Sequence, residues 1–352
     1  MKNKIITFIF IILIIGAIWY LEKEKNHSSG NVKRIELAKD NLLKEARYSK
    51  AVELVEPDGY INQDNITLAE YLGKEVILVD FWTYSCINCQ RTIPYLNAWY
   101  EKYKDKGFVI IGVHTPEFDF EKDYNNVKKA VDKYNIKYPV VQDNNYKTWR
   151  AYENRYWPRK YLIDIDGFIV YDHIGEGGYE ETEKEIQKAL QEREDRMNID
   201  ADISNEIAKP NVNLPEFQEI ETPEIYFGYD FSRNQIGNKE GYDPEKIVNY
   251  TLPEKYENNK FYLGGIWLNN KDNLESEDNN SIVIKYHAKD INLVAGANNP
   301  TEISIYIDDN FTRKLIISDY SLYNIYSDDN YTDHLLEIKT KKGIKVFTFT
   351  FG

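Results

Sequence analysis

From about Val55 onward, short apolar runs alternate with segments whose apolar residues recur every three or four positions. Val76 to Trp82 (VILVDFW) and Phe108 to Val113 (FVIIGV) predict fully buried strands, and Val140 and Val141 mark a third. Cys89, Ile93, Leu96, Tyr100 and Tyr103 fall on one face of a helix, which Pro94 is expected to kink. Tyr124, Val127, Val131 and Tyr134 mark a second helix. Ile186 and Leu190 mark a third, ending near Arg193. Lys160 to Asp164 and Phe168 to Tyr171 flank the turn Ile165-Asp166-Gly167, which predicts an antiparallel hairpin. Strand–helix alternation closed by a hairpin and a helix implies an α/β domain with a mixed sheet over residues 55–194.

Beyond a polar stretch at 195–222, which carries Pro210 and Pro215 and reads as a linker, the period changes to two. Ile282, Ile284 and Tyr286 alternate with other residues, as do Ile303, Ile305 and Ile307, and Phe347, Phe349 and Phe351. Asn, Asp and Gly clusters separate these runs. Residues 223–352 are therefore expected to form an all-β sandwich, jelly-roll-like in arrangement.

The other end of the chain has no such periodicity. Residues 5–21 (IITFIFIILIIGAIWYL) carry no charge, follow Lys2 and Lys4, and place Trp19 and Tyr20 at the far end. This reads as a single-pass signal anchor over residues 1–21, with the bulk of the chain outside the cytoplasm. A cleaved signal peptide is the rival reading, though no clean small-x-small site follows the run. Residues 22–54 are polar and read as a stalk ending in a short helix. A net charge of −14 without a basic stripe argues against nucleic acid as a partner.

The chain has only two cysteines, Cys86 and Cys89, so no disulfide framework is available and the pair is free for chemistry. They sit where a buried strand gives way to an amphipathic helix. Unpartnered amides and the helix dipole there would stabilise a Cys86 thiolate and lower its pKa. Cys89, one turn deeper, would resolve the mixed disulfide. Core packing, a zinc site and a copper site are the competing readings. Zinc wants four ligands, whereas the five histidines are scattered; His114 or His173 would have to approach the cysteines to complete a copper site.

The stretch VILVDFWTYSCINCQRTIPYL resembles the active-site segment of thioredoxin-fold proteins. Its WTYSCINC core resembles the extracytoplasmic thioredoxin-like domains of the DipZ type, relatives of TlpA and ResA. Gly59-Tyr60-Ile61-Asn62 (with Tyr60 where Trp is usual), Gly112 to Phe118, Tyr156 to Asp164, TPEIYFGY and the terminal FTFTFG extend the resemblance from about Tyr60 to the end. The resemblance implies roles for particular residues. Asp80 would be the buried acid that deprotonates Cys89, Pro94 the helix-kinking proline, and Pro158 the cis-proline facing the cysteines. Trp82 would wall the site, and Trp157 would cover it or pack in the core. His114 and Glu117 follow a buried strand, where α/β proteins place site residues, and Glu117 would line the groove. No cofactor is implied beyond a redox-active Cys86–Cys89 disulfide. Relatives of the DipZ type carry a multi-helix electron-importing domain ahead of this part. Its place is taken here by a single predicted span, so a separate CcdA-like or DsbD-like membrane protein is the expected electron donor.

The expected function is a thiol–disulfide reductase or isomerase acting on extracytoplasmic proteins. A thiol peroxidase is the second enzymatic reading. Thr83 stands three residues before Cys86, as peroxiredoxins require, but the proline that goes with it is absent. A copper-binding or adhesive scaffold is the non-enzymatic one. For the β domain, Trp267, Tyr286, Tyr306, Tyr320, Tyr323 and Tyr326 leave cell-wall glycan binding and substrate docking both open. The acidic loops at Glu275, Glu277 and Asp278 and at Asp308 and Asp309 are candidate calcium ligands, with solvated loops as the default.

Overall fold

The computed structural model describes residues 39–212 and 220–352. The predicted membrane anchor therefore lies outside the described residues. Among those described, no helix is long and apolar enough to cross a membrane.

The first unit is built on six strands: β1 (Gly59–Ile61), β2 (Val76–Trp82), β3 (Phe108–His114), β4 (Val140–Gln142), β5 (Arg159–Ile163) and β6 (Ile169–Ile174). Their order across the sheet is β1-β4-β3-β2-β5-β6. β2 runs parallel to β3 and β3 to β4, while the β5–β6 hairpin adds antiparallel to β2. Every residue of β2 and β3 is buried, as expected for strands covered on both faces. Helices α1 (39–47), α2 (Ile87–Tyr103), α3 (Tyr124–Lys133), α4 (Lys147–Ala151) and α5 (Tyr179–Met197) accompany the sheet. One core joins Leu78, Trp82, Cys89, Leu96, Trp99 and Ile186; another, centred on Ile77, Phe81, Ile111 and Ile163, includes Leu54. This is the thioredoxin-like α/β fold.

Two stretches read as stalk and linker are bound to this unit. Lys44 of α1 pairs with Asp164 at 2.6 Å, Asp166 at 3.0 Å and Glu192, and the Ala51 amide donates to Gly167 O. After α5 the chain lies back across α2 and α5. Buried Glu183 accepts from the Ala208 amide (2.8 Å), from Trp99 Nε1 (3.1 Å) and from Tyr103 OH (2.8 Å). A buried carboxylate is tolerable only with such donors, so residues around 203–208 are held by the interior charge that they help to satisfy.

The second unit comprises β7 (Ile225–Tyr226), β8 (Ile247–Tyr250), β9 (Phe261–Asn269), β10 (Leu274–Ser276), β11 (Asn280–Ala297), β12 (Thr301–Ile307), β13 (Asn310–Ile317), β14 (Ser321–Thr340) and β15 (Ile344–Phe351). The all-β expectation holds, but the strands form one continuous antiparallel sheet rather than two separate ones. β11 pairs with β9 near Ile284 and with β15 beyond Asp290, and irregular pairing between Ala288 and Asp290 lies between the two partnerships. Such bulges bend long strands, which lets one sheet wrap a single core containing Trp267, Ile284, Tyr286 and Phe349.

Two of the six aromatic glycan candidates, Trp267 and Tyr286, are thus interior residues. Three of the five calcium candidates have cationic or hydrogen-bonding partners: Glu275 with Lys345, Glu277 with Lys342, and Asp308 with His334 Nδ1 at 2.8 Å.

The two units meet through the loop between β3 and α3. Phe118 and Phe120 stack on one another and pack against Phe347 at ring separations of 5.2 and 4.6 Å, in a cluster with Tyr226 and Val294. Tyr84 OH donates to Tyr320 O at 3.2 Å, and the Asp119 amide donates to Asp272 Oδ2 at 3.2 Å. This junction places the β unit over the active-site end of the first unit.

Candidate active site

Cys86 caps the N-terminus of α2. Its backbone is extended (φ −74°, ψ 120°), and its Sγ accepts the Cys89 amide at 3.2 Å. Cys86 is half-buried and Cys89 buried, and both are free thiols. The sequence-based expectation of a depressed Cys86 pKa is not met. The amide bond does favour the thiolate, but burial outweighs it, and the carboxyls of Glu117 and Glu224 push the same way, so the thiol is raised. The β unit contributes to this environment, supplying Glu224 and one wall of the space in front of Cys86. A cavity of about 370 Å³ results, lined from one side by Cys86, Glu117 and Trp157 and from the other by Glu224, Tyr226 and Arg233.

Beneath Cys89 lies a different environment. Asp80 is 1% exposed, and its Oδ1 has no hydrogen-bond partner. Burial lifts its carboxyl to about 7, against the pull of Lys160. Lys160 stands directly opposite Asp80 in the β2–β5 pairing, is itself fully buried, and reaches Gly175 O at 3.2 Å. Burial lowers its pKa. Burial, the adjacent Cys86 and the charge of Asp80 all raise the Cys89 thiol. A group near 7 beside a high-pKa thiol can take and return a proton at neutral pH.

The Trp157–Pro158 bond is cis. Trp157 lies at the cavity, packed against Trp149 with ring centroids 4.3 Å apart and donating Nε1–H to Thr115 O at 3.0 Å, so it both lines the site and packs. Trp82 belongs to the core around Cys89 instead, edge-on to His114 at 5.1 Å. Pro94 sits inside α2, one turn beyond Cys89.

Residues 49–172 match the AhpC/TSA family, and residues 222–352 match the thioredoxin-like C-terminal domain family. Protein DipZ of Mycobacterium tuberculosis is 36% identical over 298 residues, covering 82% of this chain and 40% of DipZ. Thiol-disulfide oxidoreductase ResA of Bacillus thuringiensis is 37% identical over 123 residues, covering 35% of this chain and 68% of ResA. The chain belongs to the thioredoxin-like thiol–disulfide oxidoreductases of the ResA and DipZ type. Thiol-disulfide oxidoreductase YkuV of Bacillus subtilis is 28% identical over 142 residues, covering 40% of this chain and 95% of YkuV. This chain spans about two fifths of the length of the DipZ relatives it matches.

The structure brings Cys86, Cys89, Asp80, Trp157 and Glu117 to one end of the sheet. The histidines considered as copper ligands are engaged elsewhere. His114 is fully buried, its Nε2 3.4 Å from the Thr83 hydroxyl, and burial lowers it to about 3. His173 faces Tyr171 OH and Glu176 O.

Sequence reasoning missed four residues. Glu121, fully buried, accepts from Ser85 Oγ (2.6 Å) and from the Glu117 and Phe118 amides (2.6 and 3.0 Å), tying the loop before Cys86 to the loop that carries Glu117. Lys160 falls within a predicted strand, and a lysine inside a buried strand is the signal that could have found it. Glu224 and Tyr226 lie in the TPEIYFGY motif, but nothing local ties them to Cys86.

Proposed function

We propose that this protein is a membrane-tethered dithiol–disulfide reductase or isomerase working outside the cytoplasm. One observation supports it most: a half-buried cysteine at a helix N-terminus opens onto a cavity, with a second cysteine and a near-neutral acid behind it. The Cys86 thiolate attacks a substrate disulfide and forms a mixed disulfide. Asp80 takes the Cys89 proton, Cys89 displaces the substrate sulfur, and the enzyme is left as the Cys86–Cys89 disulfide. The AhpC/TSA match leaves the thiol peroxidase reading as the second one, but the proline that accompanies the peroxiredoxin threonine is absent here, and the Thr83 hydroxyl lies 3.4 Å from His114 Nε2.

Substrates are extracytoplasmic protein disulfides. The tether is the apolar run at residues 5–21. A CcdA-like or DsbD-like membrane protein re-reduces the pair. For the β unit, docking of substrate over the cavity is favoured over glycan binding, because it walls the active site while Trp267 and Tyr286 are interior. Reduction of insulin disulfides tests the chemistry: the wild type accelerates it and Cys86→Ser does not. In cells, deleting the donor leaves the cysteines oxidised. Unchanged thiols in that strain would remove the donor from the scheme.

A further inference from the structure

The motif TPEIYFGY is not accounted for by thiol–disulfide exchange, yet it is held firmly in place. Ile225 and Tyr226 pair with Phe349 and Thr348 of β15, and Thr348 Oγ1 donates to Ile225 O at 2.9 Å. Gln235 brackets the strand, donating to Glu224 O (2.6 Å) and accepting from the Tyr226 amide (3.2 Å). The side chains so fixed point across the domain junction. Tyr226 OH lies 2.8 Å from Glu117 Oε1 of the thioredoxin-like unit and 3.1 Å from Glu224 Oε2. Both carboxyls and Tyr226 line the cavity that Cys86 opens into.

A phenol has one proton to give, and here two carboxyls compete for it. Only one can be the acceptor; the other must donate to the phenol oxygen, which requires that it hold a proton, or stand as an unpaired repelling charge. We propose that Glu117 and Glu224, joined through Tyr226, share one proton and form the reservoir that serves Cys86, so that the β unit completes the active site. This rests on the disulfide-exchange reading above. Glu121 and Tyr146 from the first unit, and Arg233 from the second, are the other titratable or charged groups acting on this pair, and Arg155 shares the cavity. Arg233 lies over the Tyr226 ring at 4.8 Å, leaving the O–H to the carboxyls. The directions agree with a shared proton. Burial, then Glu224 and Glu121, lift Glu117 to about 8, and burial raises Glu224.

The proton account closes. The pair takes the Cys86 proton. The Cys86 thiolate forms an S–S bond to one substrate sulfur while the substrate S–S bond breaks. The departing thiolate then receives the proton from the pair. Cys89 gives its proton to Asp80, attacks Cys86 and releases the second sulfur, which takes that proton. The substrate gains two electrons and two protons from the enzyme dithiol. Tyr226 acts as a positioning residue, and the two glutamates carry the proton.

The test uses the reduced full chain. Alkylation of Cys86 by iodoacetamide is followed against pH, with mass spectrometry separating it from Cys89. Glu224→Gln removes a charge that disfavours the thiolate, so its midpoint should fall by roughly one pH unit. Disulfide reduction at pH 7 should slow on the order of tenfold or more. Tyr226→Phe should shift the midpoint the same way by less, because carboxyls without the phenol donor hold their proton to higher pH. Glu275→Gln, on the same unit but away from the cavity, should move neither. Midpoints at the wild-type value in both Glu224→Gln and Tyr226→Phe would overturn the proposal. A wild type that reduces no disulfide would overturn the proposed function instead, since the alkylation profile is read without turnover.

Discussion

Cys86 and Cys89 share one helical turn, yet their proton partners come from opposite directions. Cys89 faces inward to Asp80, a carboxyl in an apolar interior whose nearest counter-charge, Lys160, comes from the neighbouring strand of the same sheet. Cys86 faces outward to carboxyls gathered from two structural units and joined by a phenol. The first system is set by burial within one core, so it is insensitive to anything that moves the units apart. The second exists only while the β unit sits on the loop 116–121. The proposed disulfide exchange needs two thiolates in sequence. This fold supplies the second from the interior and makes the first depend on an interface.

Asp80→Asn should break the inner system with the largest effect. Resolution of the mixed disulfide should slow by about a hundredfold or more, the usual span for a lost general base. Stability should move the other way. The Asp80 carboxyl titrates near 7 when folded against an ordinary 3.8, so the folded state holds a proton that the unfolded chain releases. Stability is therefore lost as pH rises from about 4 through 7, by on the order of 4 kcal/mol. The neutral variant should melt higher than wild type at pH 8, and thermal melts at pH 4 and 8 should show the gap closing at the acid end. Equal melting at both values would contradict a charge held in an apolar interior.

Phe118→Ala attacks the outer system through its mounting. The ring is fully buried between Phe120, Phe231 and Phe347, and its loss should cost about 3 kcal/mol. With the junction loosened, water reaches Cys86 and its alkylation midpoint should fall toward the ordinary thiol value, while that of Cys89 stays put. A parallel shift of both cysteines would mean that the junction and the interior are not separable.

The first unit was largely legible because its strands are buried on both faces and its helices keep an apolar stripe; VILVDFW and the α2 stripe carry their positions in their periodicity. The hairpin followed from Ile165-Asp166-Gly167. β1 and α4 were missed, being three and five residues long, too short for a period to show. The β unit was legible in class but not in topology, since alternation marks strands without saying which neighbours they choose or where β11 bends. Cys86, Cys89, Asp80, Pro158 and Trp157 are visible because they lie in compact motifs. Glu224 and Tyr226 lie more than a hundred residues from Cys86, and contacts between the two units, the packing of Phe118 and Phe120 on Phe347 among them, bring them there. For the same reason the sequence predicts the Cys86 pKa with the wrong sign: the helix N-terminus is local and visible, the enclosing unit is neither.

The order of the two cysteines is the claim beneath all of this, and trapping tests it most directly. Cys89→Ser and Cys86→Ser are each mixed with a disulfide-bonded protein and their intact masses measured without reductant. Cys89→Ser should accumulate a mixed disulfide through Cys86, and Cys86→Ser should remain unmodified. Trapping on Cys89 in the Cys86→Ser variant, or equal trapping in both, would contradict the account.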